Sequence, residues 1–598
     1  MDTIVPPPRR NASPLAALAK VAPGVASAAA LALLGFAILL AYLPAVVAGL
    51  GFVSDDFMIL QRLRDAGGLR GAASFFGQSY YDYYRPLGFV SFAADWTLWR
   101  GWPAGYHAVS ILLHLVNAFL VFRLARRLLG FEASAIAAAL FGLHVVNQEA
   151  VFWASARFDL LATAGALAAL LVLASAGRWR YAAAGLLYLA ALLCKESVVA
   201  LPAAAGAYLW VIRRDRHVEL LKALAWLGAA GAAYAVCREA SGLAAAGGAS
   251  RIPKLAALAL LLMAQVAAAH PATSAARARL RGRRGALLAA AAVALAAAGA
   301  LAFFSPQGSA LRGAFSAFGF AAIHLLSPIS PEPWLNPLPG WLVPAGLAAA
   351  GALLFAAWRL AGREVPVFLG FLLAAALLPV SSMTEGSRYL YLASVPVALF
   401  AGWAMAAMAP RAAAPAYTLL ALALIAFGWQ VRQKGRDWLW ASGMTSRAVA
   451  TIVEAAGPGC RDAQIMLATA PVRTRGVYAN INHEALAALG GCRPASFRTI
   501  IRTGYDDPAV DAALEPGQLL LRAAPYRGGF TTSADFQQYV VRLDAGSVTR
   551  LTNGLGRFEA SPDASGLLIR QQLPPGAAEG MQWFVFSSGS LRHVPPPP

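Results

Sequence analysis

Charge is what this chain has least of. Only 13% of its 598 residues are charged, against about 25% in an ordinary soluble domain. Hydrophobic residues make up 59% and the mean hydropathy is +0.58. A water-soluble fold of this length cannot hide so much apolar surface, and the apolar residues fall in long runs. The same composition excludes a disordered or collagenous chain. Cysteine is scarce as well: four, with no CxxC pair, which argues against a structural zinc site, a thiol redox motif or a disulfide-built scaffold. Acids are scarcer than bases, giving a net charge of +20. No zinc-finger spacing and no stacking-aromatic RNA motif accompanies that charge, so nucleic acid is not the expected partner.

Long apolar runs are what the chain has in abundance. With about 20 residues needed per crossing, spans are predicted at 26–50, 105–122, 132–146, 158–176, 181–194, 197–212, 219–237, 253–270, 286–304, 341–358, 366–380, 391–409 and 415–429. The basic residues sit in short clusters between them: Arg9, Arg10 and Lys20; Arg123, Arg126 and Arg127; Arg178 and Arg180; Arg213, Arg214, Arg216 and Lys222; Arg277–Arg284; Arg359 and Arg363; Arg411. Lys and Arg mark cytoplasmic loops, so the N-terminus is expected inside and the C-terminus outside. A dozen spans follow the first apolar run, which is therefore read as an uncleaved span.

The expected architecture is an all-α polytopic membrane protein of about 11–13 helices with a small mixed α/β C-terminal extracytoplasmic domain. A cytoplasmic tail at 1–25 leads into a membrane domain at 26–430, which holds a long aromatic-rich outer loop at 51–104. Residues 431–598 form the outer domain, where stretches such as 566–570 alternate in the manner of strands. Residues 1–15 and Pro595–Pro598 are expected to be disordered. Cys460 and Cys492 are the only cysteines of the outer domain and are candidates for a disulfide there. Alanine, arginine and glycine usage points to a GC-rich bacterial genome, hence to an inner membrane with a periplasmic C-terminus.

Charges within so apolar a chain are costly, and each is a functional-site candidate by default. Asp55 and Asp56 follow the first span; adjacent carboxylates raise one another's pKa, which suits a general base, although helix capping explains at least one of them. Arg85 lies in the same loop, as a phosphate ligand or a snorkelling cation. His107, His114 and Asn117 share one helix face and are expected to bond between helices. His144, Glu149, Arg157 and Asp159 cluster within sixteen residues, and a structural Arg157–Asp159 or Arg157–Glu149 pair is the plain reading. Lys195 and Glu196, then Glu385, Arg388 and Tyr389, complete the islands. The predicted topology brings all of them to the outer face, as an anionic ligand with an acid–base group requires.

In this order the islands resemble the GT-C superfamily of integral-membrane glycosyltransferases, and most closely its protein O-mannosyltransferase-like TMTC type and bacterial relatives. The motifs are SDDF, YYRPLGFVSFAADWTLW, GYHAVSILLHLVNAFLVFRLARRL, LFGLHVVNQEAVFWASARFDLLATAGAL, LLCKES and LLPVSSMTEGSRYLYLASV, spread over residues 54–395. The resemblance implies a GT-C-like fold, a catalytic Asp55 or Asp56, a polyprenyl-phosphate-linked sugar as donor and inversion at the anomeric carbon. This chain departs from the TMTC pattern in having no 34-residue helical repeat after its last span, so the acceptor, whether protein, glycan or lipid, is not carried over. The stretch 218–340 also diverges, and the sugar is left open with it.

An acceptor hydroxyl needs a base; that role goes to Asp56, with Asp55 the alternative. The departing phosphate needs cations: Arg388, Arg85 and Lys195 in that order, then Arg157. Glu149 is expected to orient the acceptor or to bind a divalent cation. His144, Asp159, Glu196, Glu385 and Tyr389 are supporting groups. Metal dependence is not decided by the sequence. The rival readings are a transporter or flippase of a lipid-linked or anionic substrate, and a non-catalytic membrane scaffold.

Overall fold

A computed structural model describes residues 23–80, 83–214, 217–241, 321 and 323–326, 364–377 and, with short gaps, 386–595. The predicted spans at 253–270, 286–304 and 341–358, the Arg277–Arg284 cluster, Glu385 and the two terminal tails lie outside the described residues, apart from the last few residues of the N-terminal tail and Pro595.

The helices used below are α1 Pro23–Val47, α2 Asp55–Ala66, α3 Pro86–Trp99, α4 Pro103–Leu128, α5 Phe131–Leu143, α6 Gln148–Phe152, α7 Arg157–Leu173, α8 Arg180–Cys194, α9 Leu201–Ala207, α10 His217–Ala240, α11 Glu364–Leu377, α12 Ser394–Ala456 and α13 His483–Gly490. Among the described residues five stretches are long and apolar enough to cross a membrane: Gly24–Val47, Pro103–Leu128, Ala154–Leu173, Val218–Ala240 and Ala414–Ala456. A sixth arises if α5 and the bent segment Val145–Phe152 count as one span. The chain is an integral membrane protein. Four shorter apolar helices, at Arg180–Cys194, Glu196–Ile212, Phe368–Leu377 and Ser394–Ala406, fall on expected spans.

Helix α12 runs for 63 residues, which would measure about 95 Å as a straight rod. It is not straight. Ser394 bonds Asn147 beyond the end of α5, Gly402 presses on the backbone of Ala133 and Ala137 near its start, and the Phe427 ring lies 4.6 Å from that of His144, past its end again. The chain therefore passes α5 twice in opposite directions, as separate spans at 391–409 and 415–429 require. Gly402 permits the approach, since a side chain there would meet the Ala133 carbonyl oxygen at 2.5 Å.

Polar groups on the helices bond between helices, as expected for α4. His114 pairs through Nδ1 with the Tyr391 hydroxyl at 2.7 Å and through Nε2 with the Gly142 carbonyl at 2.9 Å. Asn117 donates to the Leu160 carbonyl at 2.9 Å, and the His107 ring reaches the Gly51 carbonyl at 3.4 Å. These contacts tie the helices where water is absent and an unmade bond is expensive.

Beyond α12 the described residues build two large sheets and a two-stranded hairpin, Arg473–Thr474 with Val477–Tyr478. One is mixed and six-stranded, in the order Ser590–Val594, Gln582–Ser587, Gln464–Pro471, Ser496–Thr503, Phe530–Ala534 and Gln537–Val541. The central strand Gln464–Pro471 runs parallel to both its neighbours. The other is antiparallel and five-stranded, in the order Val510–Glu515, Gln518–Ala523, Gly566–Gln572, Gly556–Asp563 and Thr549–Asn553. The alternation read at 566–570 is the inner face of this second sheet: Leu567 and Ile569 are buried and Arg570 is exposed. Helix α13 starts on Asn482, whose side chain accepts the Ala485 N–H, a standard N-cap. A disulfide joins Cys460 to Cys492. Of the remaining thiols, Cys194 is buried and Cys237 is exposed on α10.

Candidate active site

The site forms where alternate helices end. The C-terminal ends of α1, α5 and α8 meet the N-terminal ends of α4 and α7, and the connecting segments carry the charges. Gly51 meets His107, Ser155 meets Asp56, Arg157 meets Tyr106, and Lys195 meets Asp159. Arg388, in the turn Ser387–Leu390 before α12, meets Glu149.

Glu149 is delivered there by a break in its helix. His144 leaves the helical conformation, and its Nδ1 accepts the Val146 N–H at 3.1 Å. The Asn147 side chain donates to the Phe141 carbonyl at 2.8 Å, satisfying an acceptor that the end of α5 leaves open. The two helical pieces meet at 48°, which aims α6 at the cluster. His144 is thus a helix-end residue packed on Phe427, away from the charged groups.

Each cation of the cluster is paired with a carboxylate. Arg85 is bidentate on Glu196. Lys195 holds both oxygens of Asp159 at 2.7 and 2.6 Å, with the Tyr389 ring 4.8 Å from its Nζ. Arg388 Nη1 reaches Glu149 Oε1 at 2.6 Å; the Arg388 backbone N–H and the Ser387 hydroxyl occupy Oε2 at 2.9 and 3.1 Å. Arg388 Nη2 also donates to the Tyr389 hydroxyl at 2.8 Å.

Arg157 needs two corrections. Its partner is Asp95 on α3, neither Asp159 nor Glu149, which belong to Lys195 and Arg388. It is also sealed, at 0% exposure, between the Tyr106 carbonyl at 2.8 Å and the Phe92 ring, 4.5 Å from Cζ. Sealed in this way it offers no exposed nitrogen to a phosphate, and it joins α3 to α7 as a strut. Asp95→Ala, which strands a buried guanidinium, is expected to destabilise the protein by about 3–5 kcal/mol. Thermal unfolding in detergent measures this, and an unchanged melting temperature would contradict the strut role.

The adjacent aspartates have different surroundings. Asp56 is 2% exposed and its oxygens are occupied. One accepts the Val53 N–H at 3.0 Å; the other accepts the Ser155 N–H at 2.7 Å and the Ser155 hydroxyl. Burial pushes its carboxyl up to about 7, against the pull of those three bonds. Asp55 is solvent-accessible, with protein packed close enough around it to desolvate its carboxyl. That enclosure raises its pKa; Arg388 and the Ser54 hydroxyl lower it, and Glu484 raises it again. Asp55 therefore keeps an open carboxylate within electrostatic reach of Arg388, while Asp56 knits the first loop to the α6–α7 connection.

The C-terminal domain supplies groups the motifs did not contain. The Tyr478 ring stacks on Trp153, centroids 5.1 Å apart at 22°, and Arg388 lies 4.5 Å from the Trp153 ring and 5.2 Å from that of Tyr478. Arg473 covers the Tyr478 ring at 4.0 Å. Among the described residues no three His, Cys, Asp or Glu side chains form a metal-ligating group, so the geometry assigns no metal to Glu149.

Fold and site together define a membrane protein with a paired, mixed-charge centre at one end of its helices. Comparison with known proteins gives that class a more particular likeness, to proteins of the TMTC type. Protein O-mannosyl-transferase Tmtc1 of Drosophila melanogaster is 35% identical over 167 residues, covering 25% of this chain and 19% of the relative. Tmtc2 of the same fly is 35% identical over 173 residues, covering 25% and 18%, and TMTC3 of Mus musculus 34% over 88 residues, covering 15% and 10%. The chain thus matches about a fifth of the length of the first two relatives. No protein-family model matches it. Among solved structures, ArnT from Cupriavidus metallidurans bound to undecaprenyl phosphate overlays 80% of this chain and 86% of its own at 13% identity and a TM-score of 0.38, too loose a fit to carry an argument.

Proposed function

We propose that this chain is a membrane glycosyltransferase that moves a sugar from a polyprenyl-phosphate-linked donor to a protein or glycan acceptor. Asp55 is the base, and the site and C-terminal domain lie on the extracytoplasmic side. The observation that carries the reading is an open carboxylate, Asp55, within electrostatic reach of Arg388, which groups with Arg85 and the buried Lys195, each cation already held by a carboxylate. The sequence likeness to O-mannosyl-transferases gives the sugar-transfer class its weight.

In this reading the donor phosphate rests against Arg388 and Arg85, and Lys195 adds charge from behind Tyr389. Asp55 takes the proton of the acceptor hydroxyl as its oxygen bonds to the anomeric carbon. The bond from that carbon to the phosphate oxygen breaks, and the electron pair leaves with the polyprenyl phosphate, where fixed cations meet the growing charge without reorganising. A single displacement of this kind inverts the anomeric centre. The roles of the neighbouring aspartates are thereby exchanged relative to the sequence reading: Asp56 has no free oxygen and holds the loop.

The test is transfer from a panel of radiolabelled polyprenyl-phosphate sugars by membranes carrying the wild-type chain or Asp55→Asn. Label entering a protein or glycan fraction with wild type alone is the expected result. No release from any donor by folded, inserted protein overturns the assignment and turns attention to transport or scaffolding.

A further inference from the structure

The C-terminal domain is not a separate appendage, because the open end of one of its hairpins, Arg473 and Tyr478, reaches the charged cluster. Arg473–Thr474 pairs with Val477–Tyr478, and the two residues between, Arg475 and Gly476, both have positive φ, 50° and 77°. That is the turn a tight two-residue hairpin demands. Glycine takes it freely, whereas Arg475 takes it at a cost, with its guanidinium set 4.4 Å from the Trp440 ring. The hairpin is held on both sides. The Cys460–Cys492 disulfide, spanning 32 positions, encloses it, and Gly490 at the end of α13 backs onto Val449 and Val453 of α12.

What the hairpin delivers is a stack. Arg473 covers Tyr478, Tyr478 lies on Trp153, and Arg388 rests on Trp153 and Tyr478 while its nitrogens reach Glu149 and Tyr389. Glu149 fixes one edge of the guanidinium, and the aromatic rings set the tilt of its plane. Tyr478 is the only one of those rings that comes from the C-terminal domain.

We propose that the Arg473–Tyr478 hairpin is a positioning element: it sets the orientation of Arg388, and so makes the C-terminal domain a working part of the transfer centre. The proposal rests on the glycosyltransferase reading and deepens it. Tyr478 and Arg473 act through Arg388, and neither is assigned a contact with substrate.

The experiment is a double-mutant cycle in the full-length chain, using whichever polyprenyl-phosphate sugar wild type accepts. Tyr478→Ala is expected to lower donor kcat/KM by about 10- to 100-fold, the scale of a small misplacement of a catalytic group. Tyr478→Phe, which keeps the ring, is expected to restore most of it. In the Arg388→Ala background the same Tyr478→Ala change is expected to cost less than about threefold, because two residues acting on one interaction are not additive. Equal losses in both backgrounds, or a wild-type rate for Tyr478→Ala, overturns the proposal while transfer by wild type stands. Absence of transfer by wild type from every donor is a different failure, in which the function reading falls and this proposal with it. Arg473→Ala supplies a second variant should Tyr478→Ala not insert, and the same cycle against Arg388→Ala is expected to be non-additive.

Discussion

Asp55→Asn is expected to reduce transfer by about 10²- to 10⁴-fold, the usual contribution of a positioned general base, and to leave the melting temperature of the detergent-solubilised protein unchanged. Its carboxylate is accessible, and among the described residues its one hydrogen bond is a long one of 3.3 Å from the Ser54 hydroxyl, so the amide costs little structure. Asp56→Asn should fail differently. Both Asp56 oxygens accept backbone N–H groups, from Val53 and Ser155; an amide nitrogen at either place sets donor against donor. A buried polar group left in that state costs about 1–3 kcal/mol, so Asp56→Asn should lose stability along with activity. Full transfer by Asp55→Asn with loss confined to Asp56→Asn would return the base to Asp56.

Arg388→Ala carries the second large effect and acts at two levels. It removes the cation placed to meet the departing phosphate, for which a loss of about 10²- to 10³-fold is the scale set by single preorganised donors. It also leaves Glu149 buried with the Ser387 hydroxyl and the residue-388 backbone N–H as its remaining hydrogen-bond donors among the described residues, and breaking a buried pair from one side costs about 3–5 kcal/mol. The two effects separate in Arg388→Ala/Glu149→Gln. Removing the stranded charge should recover most of the lost melting temperature and none of the transfer. Recovery of transfer by the double variant would mean that Arg388 serves only to neutralise Glu149.

Much of this centre was legible because charge is so rare in the chain. Asp55, Asp56, Arg85, Glu149, Asp159, Lys195, Glu196 and Arg388 stand out against apolar runs, and helix ends bring them together. Their pairing was not legible. Arg157 has Asp159 two residues away, yet its carboxylate is Asp95, carried by a helix of the first loop whose place depends on packing distant in sequence. The order of Asp55 and Asp56 depends on Ser155, which lies in a segment with no local signal that it would turn its N–H and hydroxyl toward the loop. Trp153 and Tyr478 escaped notice for the opposite reason. In a chain already rich in aromatics, a tryptophan and a tyrosine far apart in sequence carry no mark of their stack. Arg473 and Glu484 lie in a domain that the membrane motifs do not reach.

The pH dependence of kcat/KM for sugar transfer tests the central claim most directly, because it reports the ionisation of the working base in the free enzyme. The groups acting on the Asp55 carboxyl are, largest first, the enclosing protein, which raises its pKa, Arg388 and the Ser54 hydroxyl, which lower it, and Glu484, which raises it; Asp56 is the neighbouring carboxyl, and His483 pairs with Glu484 at 3.2 Å. A base must be deprotonated to act, so activity should rise with pH through an acid limb above the ordinary aspartate pKa of about 3.9. Removing the Glu484 charge stabilises the Asp55 carboxylate and should move that limb to lower pH in Glu484→Gln. A kcat/KM with no acid limb above about 3.9 would mean that the working base is not Asp55.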